Sequence, residues 1–286
     1  MKWLRPNDSS ANYQDRRGRI SGKGLALGGG IGGIVIVLAS LFFGVDLSGL
    51  MQVANNVLPS SQKEQVDPSR VNENEEFKVF TLRVFNSCND VWTDLFNSEL
   101  QRSYAAPTLV TFTDQVQSRC GGATSEVGPF YCPADQTVYI DLDFFNLLAS
   151  RFKAPGDLAM AYVTAHEVGH HVQNLLGISD KLHQQQGRVS QEAYNRASVQ
   201  LELQADYLAG VWAYHAQRLG IILIESGDLE DALTAANAIG DDTLQKEAQG
   251  YAVPDSFTHG TSAQRMQAFR SGFETGSLDG ASRYRL

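Results

Sequence analysis

His166-Glu167-Val168-Gly169-His170 constrains this chain more than any other stretch, because two imidazoles four positions apart act together only on a helix. Four residues of an α-helix turn through about 400°, so the two rings project about 40° apart on one face. At that separation both can reach one Zn²⁺ at about 2.0–2.1 Å. Glu167, one step round, would sit beside the open coordination position and take a proton from a water attacking a carbonyl. The segment reads as helical on independent grounds. Asp157 can serve as N-cap, Leu158-Ala159-Met160-Ala161-Tyr162-Val163 is a good helix former, and Gly177 offers a C-terminal stop. Glu167 is the one charged residue between Asp157 and Asp180, so the helix should be buried. A buried, unpaired carboxylate is costly, and a metal site is one of the few environments that accommodates it.

A third ligand must come from elsewhere in the chain. A metzincin helix would carry Gly at 173 and His at 176; these positions hold Gln173 and Leu176, which closes that route. The stretch from Ser198 to Trp212 is apolar and helical in character, with Glu202 and Asp206 as its charges. Spaced four apart, they share a face. One carboxylate can complete the ligand set while the other accepts the free N–H of a ligating imidazole and fixes its tautomer. The competing reading is a solvated acidic face, against which Leu201, Leu203, Ala205, Leu208 and Val211 argue.

HEVGHHVQ followed by ELQADYLAGVW resembles the bacterial membrane-anchored neutral zinc metallopeptidase family, itself similar to gluzincins. Three further segments carry the likeness: Asp15-Arg16-Arg17-Gly18, the block Gly128 to Asp135, and Ser256 to Arg265. The resemblance implies an α+β, zincin-like metallopeptidase domain, mostly helical with a small sheet, behind an N-terminal transmembrane helix. It implies one Zn²⁺ held by His166, His170 and Glu202, with Glu167 as general base. By gluzincin analogy Asp206 bonds an imidazole, that of His166.

The other histidines are weaker candidates. His171 follows His170 directly and points about 100° away, so it is expected to be a hydrogen-bonded residue on the helix flank. His183 and His215 have no carboxylate or Cys at ligand spacing and read as structural or surface residues. His259 lies in a loop bounded by Gly and Ser late in the chain, where related hydrolases place a group that stabilises the oxyanion; a plain loop histidine is the competing reading.

The 286 residues carry a formal net charge of −9, which argues against nucleic acid as a partner. The charge is lopsided. Lys2, Arg5, Arg16, Arg17, Arg19 and Lys23 precede an uncharged run from Gly24 to Val45. As a helix that run spans roughly 33 Å, enough for a bilayer core. The expected organisation is therefore a basic cytoplasmic N-terminus over 1–23, a single-pass anchor over 24–45, a polar linker over 46–76, and an extracytoplasmic domain over 77–286. A cleaved signal peptide is disfavoured by the long basic region and the want of a small-x-small site after Val45.

Helices are expected from Phe77 to Phe85 and from about Asn89 to Ser103, with strands at Thr108 to Phe112 and Thr137 to Leu142. The resemblance makes the second strand the edge of the cleft, where extended substrate would pair. Cys120 and Cys132 bracket a Gly-rich loop, and an extracytoplasmic location makes their disulfide reasonable; Cys88 is left as a buried thiol. Three functions fit these residues. The first is a membrane-tethered zinc endopeptidase acting on peptide or protein. The second is a zinc-stabilised envelope module without catalysis, and the third a zinc hydrolase of a non-peptide amide. Glu167 favours an enzyme, because a purely structural site closes its fourth position with a protein ligand. Substrate and oligomeric state leave no mark in the sequence.

Overall fold

Two long helices, which divide the candidate ligand set between them, organise the core of this computed structural model, which describes residues 1–20, 65–67, 70–124, 127–152, 154 and 156–284. In chain order the elements are β1 (Lys2–Trp3), β2 (Tyr13–Asp15), β3 (Arg19–Ile20), β4 (Gln65–Val66), α1 (Glu75–Ser98), β5 (Thr108–Phe112), β6 (Gln115–Ser118), β7 (Gly121–Thr124), β8 (Phe130–Cys132) and β9 (Thr137–Asp141). Then come α2 (Asp143–Ser150), α3 (Asp157–Leu175), α4 (Ile178–His183), α5 (Gln191–Arg218), β10 (Ile222–Leu223), α6 (Asp228–Ala238), α7 (Asp241–Gln249) and α8 (Ser262–Thr275). The class is α+β, mostly helical with small sheets. Among the described residues no helix is long and apolar enough to cross a membrane, and the run 24–45 lies outside them.

The main sheet has the order β2-β5-β9-β8, with β2, β5 and β9 parallel and β8 antiparallel to β9. β9 is buried along its whole length, as a strand covered on both faces should be. It is therefore not the edge that the resemblance implied. β8 holds that edge, and Val127, Gly128 and Pro129 just before it line the cleft described below.

α3 lies at the centre, packed on α1, α5, α6 and the β8–β9 end of the sheet. Gly156 caps it in extended conformation with Asp157 as the first helical residue, and Gly177 just beyond its end takes φ 69°, the left-handed geometry of a helix stop. α1 is a single helix where two were expected. Asn86 and Ser87 look like helix breakers, but tertiary partners hold them: Asn86 Nδ2 donates to Asn7 O at 2.8 Å, and Ser87 Oγ accepts the buried Trp212 Nε1–H at 3.0 Å.

The largest departure concerns the N-terminus. The sequence sets 1–23 apart and starts the domain at residue 77; instead residues 1–20 are built into the domain. β2 adds to the sheet beside β5, β1 pairs with β10, and Arg17 is buried against Asp15 and Glu75. The domain thus includes residues that precede the apolar run, and the pairing of β3 with β4 brings residues 19–20 beside 65–66.

Candidate metal centre

The HEVGH helix and the second acidic helix come together through Gly169. A Cβ there would lie 3.1 Å from Ala205 O on α5, tighter than an ordinary contact, so the bare Cα lets the two backbones approach this closely without displacement. Ser190 starts α5 by accepting Ala193 N–H at 3.2 Å, and the helix then runs buried past Glu202 and Asp206. The approach brings His166, His170 and Glu202 together, with one ligand atom of each within 4.8 Å of the others. His166 Nε2 and His170 Nε2 are 3.1 Å apart, and Glu202 Oε2 and Oε1 lie 3.2 and 3.4 Å from them in turn. Ligand atoms of a tetrahedral zinc ion are separated by about 3.3 Å when the bonds are about 2.05 Å. The donor triangle therefore fits zinc in both spacing and chemistry.

Each imidazole is held by its other nitrogen. Asp206 Oδ1 lies 2.8 Å from His166 Nδ1 and accepts its proton, which leaves Nε2 to face the triangle. Burial disfavours the charged ring, but the carboxylates of Asp206 and Glu202 outweigh it and push the His166 pKa up to about 10. Asp206 stays ionised at about 2 although burial works against it, because Arg265 and His166 both attract its charge. Arg265 grips it with Nε at 2.8 Å and Nη2 at 2.9 Å, and Tyr162 OH donates to it at 2.6 Å. On the other ring, His170 Nδ1–H donates to Gln173 Oε1 at 2.9 Å. Gln173 is oriented in turn by its own bonds to Leu201 O and Gln204.

Glu167 is 6% exposed, and its Oε2 has no hydrogen-bond partner among the described residues. Burial raises its pKa, while the two imidazoles pull the other way. It lines a cleft of about 230 Å³ together with the three donors and His259. His259 belongs to a second, partly buried pair. Its Nδ1 is 3.1 Å from Asp241 Oδ1, and Asp241 Oδ2 accepts the backbone N–H groups of Thr258, His259 and Gly260 at 2.7, 2.6 and 3.1 Å. Burial disfavours the charged ring, but the Asp241 carboxylate outweighs it and the His259 pKa is raised.

The remaining candidates lie away from the donors. His171 donates from Nε2 to Ala105 O at 2.7 Å and accepts Tyr131 OH at Nδ1, 3.0 Å away; burial pulls its pKa down to about 4. His215 is buried and donates to Gly276 O, whereas His183 is on the surface. Cys120 and Cys132 form a disulfide and Cys88 is a buried thiol. Arg265, Tyr162, Gln173 and Asp241 escaped the sequence reading. Gln173 was legible only as a departure from another ligand pattern, and Arg265 only as the end of the Ser256–Arg265 block.

A helix-borne pair of histidines and a carboxylate from a second helix make a candidate zinc site, beside a buried Glu with one oxygen unengaged among the described residues. Residues 1–283 match the family described as "Putative neutral zinc metallopeptidase", and the chain belongs to that family. It is 45% identical over 284 residues, 96% of each chain, to the Escherichia coli K12 protein described as "Uncharacterized protein YpfJ". It is also 45% identical over 202 residues to "Uncharacterized protein Rv2575" of Mycobacterium tuberculosis, covering 67% of this chain and 65% of that one. No solved structure matches it.

Proposed function

We propose that the protein is a zinc-dependent endopeptidase in which Glu167 is the general base. The observation that carries this reading is the Glu167 carboxylate: buried, beside a donor triangle of zinc dimensions, with one oxygen that no group among the described residues engages. Zinc held by His166, His170 and Glu202 would supply Lewis-acid polarisation of the scissile carbonyl and a lower pKa for water at the site. Glu167 takes the proton of the attacking water and hands it to the departing amine nitrogen, a shuttle suited to a carboxylate whose pKa is raised. Asp206 and Gln173 fix the imidazole tautomers. His259, with Nδ1 engaged by Asp241, lines the cleft as a donor to the developing oxyanion.

Phe144, Leu147, Phe152, Val163, Ile239 and Leu244 line the cleft beside the donors. That wall supports peptide substrates with a bulky apolar residue next to the scissile bond. A zinc ion used only to join α3 to α5 would leave Glu167 buried for no purpose, which weighs against a non-catalytic module. The Cys120–Cys132 disulfide supports a site of action in an oxidising compartment, outside the cytoplasm.

The test is Glu167→Gln in the full chain. It keeps the shape of the side chain but cannot accept the water proton. General-base assistance is typically worth about 10²–10⁴-fold, so peptide hydrolysis should fall at least about 100-fold while bound zinc and thermal stability stay near wild type. Equal activity of the two proteins removes Glu167 from the mechanism. A zinc-loaded wild type inactive on broad peptide libraries overturns the peptidase reading and leaves the zinc-joined module or a non-peptide amide.

A further inference from the structure

Residues 20 and 65 are far apart in sequence but adjacent in space. β3 and β4 pair antiparallel, with Arg19 opposite Val66 and Ile20 opposite Gln65, and Asp67 N–H donates to Gly18 O at 2.7 Å. Paired strands lie about 4.8 Å apart. A single bilayer crossing between these residues would place them on opposite faces, about 30 Å apart.

The rest of the N-terminal segment is bound just as firmly to the domain. Tyr13, Gln14 and Asp15 pair with Leu109, Val110 and Thr111, and Tyr13 OH bonds Thr111 Oγ1 at 2.7 Å. Arg17, 4% exposed, donates to Asp15, to Glu75 and to Glu73 O. Asp8 meets Arg83 at 2.5 Å, and Asn86 holds the carbonyls of Asn7 and Ser9. A single crossing would strip β5 of a neighbouring strand and leave Glu75 without the Arg17 guanidinium.

We infer that residues 1–20 and the metal-binding domain form one body on the same side of any membrane that the run 24–45 enters. A cytoplasmic N-terminus with an external domain is incompatible with these pairings. The basic residues have a different use from the orientation signal that the sequence suggests. Lys2 pairs with Glu225 at 2.6 Å, Arg5 donates to Gly220 O at 3.0 Å, Arg16 donates to Gln117 O at 3.2 Å, and Arg17 fills the buried site just described. They meet acids and carbonyls of an acidic domain. The inference does not depend on the peptidase reading, because it uses no residue of the cleft.

Two full-length variants, each with one added cysteine, test it, Ser9→Cys in the N-terminal segment and Ser103→Cys in the domain, both at exposed positions. Cys88 is buried and Cys120 and Cys132 are paired, so none of them competes for a thiol reagent. A membrane-impermeant maleimide is applied to intact spheroplasts and, in parallel, to permeabilised ones, with unfolding midpoints confirming native folding. Ala11→Cys, also exposed, replaces Ser9→Cys if that variant folds poorly. The expected result is a matched pattern: both positions label in intact spheroplasts, or both need permeabilisation. Labelling of Ser103→Cys in intact spheroplasts while Ser9→Cys or Ala11→Cys needs permeabilisation, or the reverse, overturns the inference.

Discussion

Asp206 is the residue on which most of the site depends without touching the reaction. One carboxylate orients His166, receives Tyr162 OH and neutralises a buried Arg265. Asp206→Asn removes the charge and leaves Arg265 without its counter-ion, which in a buried pair costs about 3–5 kcal/mol. Groups that orient a metal-bound imidazole typically contribute about 10–100-fold in metal affinity. Asp206→Asn should therefore lose zinc to a chelator about 10–100 times more readily, while Tyr162→Phe, which deletes one donor to the same carboxylate, should change affinity much less. An unchanged zinc affinity in Asp206→Asn would reduce Asp206 to the partner of Arg265 alone. His171, beside His170 but turned away from the donors, predicts a pH effect on stability. Its folded pKa of about 4 lies below the ordinary 6.5, so between those values the unfolded chain binds the proton and the folded one does not. Stability from this group is complete above about pH 6.5 and is lost as pH falls towards 4, by roughly 3 kcal/mol in all. Urea midpoints measured between pH 4 and 7 should fall more steeply for wild type than for His171→Gln, and parallel curves would refute the assignment.

Among the elements, helix approach decides the geometry. Gly169 lets α3 reach α5, and further along α5 Gly210 faces Gly272 of α8, where a Cβ on Gly272 would overlap Tyr207 O. The second contact seats Arg265 on Asp206. Gly169→Val should force α3 and α5 apart and open the donor triangle, with loss of zinc and a cost of about 1–3 kcal/mol from overpacking. Thermal unfolding with and without chelator separates the two effects, and retained zinc at wild-type affinity would show that the triangle tolerates the shift. The two helices were legible in sequence because they are long, apolar and carry their ligands at i,i+4. Glu202 was legible as a candidate for the same reason. The strands at the N-terminus were not legible, since two or three residues carry no periodicity and their arginines imitate an orientation signal. Asp241 and His259, 18 residues apart, belong to a turn held by backbone donors, and no spacing rule reports such a contact.

At the scale of the whole molecule, the N-terminal segment changes what counts as the folding unit. A chain begun after the apolar run would keep every residue of the metal site, yet it would lack β1, β2 and β3. β5 would then have an exposed edge of unpaired N–H and C=O groups, the usual template for aggregation. Asp15 and Arg17 would be gone, and Asn86, now buried under Asn7 and Ser9, would lose both acceptors. Each lost hydrogen bond is worth about 0.5–1.5 kcal/mol, so a chain lacking residues 1–64 should be less stable by several kcal/mol and aggregate on concentration. Because β3 and β4 are antiparallel neighbours, a short turn can join them. A chain in which residues 21–64 are replaced by a two-residue Asn-Gly turn should therefore recover the stability of the full chain. Urea unfolding of the two chains side by side decides the matter. If the chain lacking 1–64 matches the joined one in midpoint and solubility, residues 1–20 lie on the domain without supporting it.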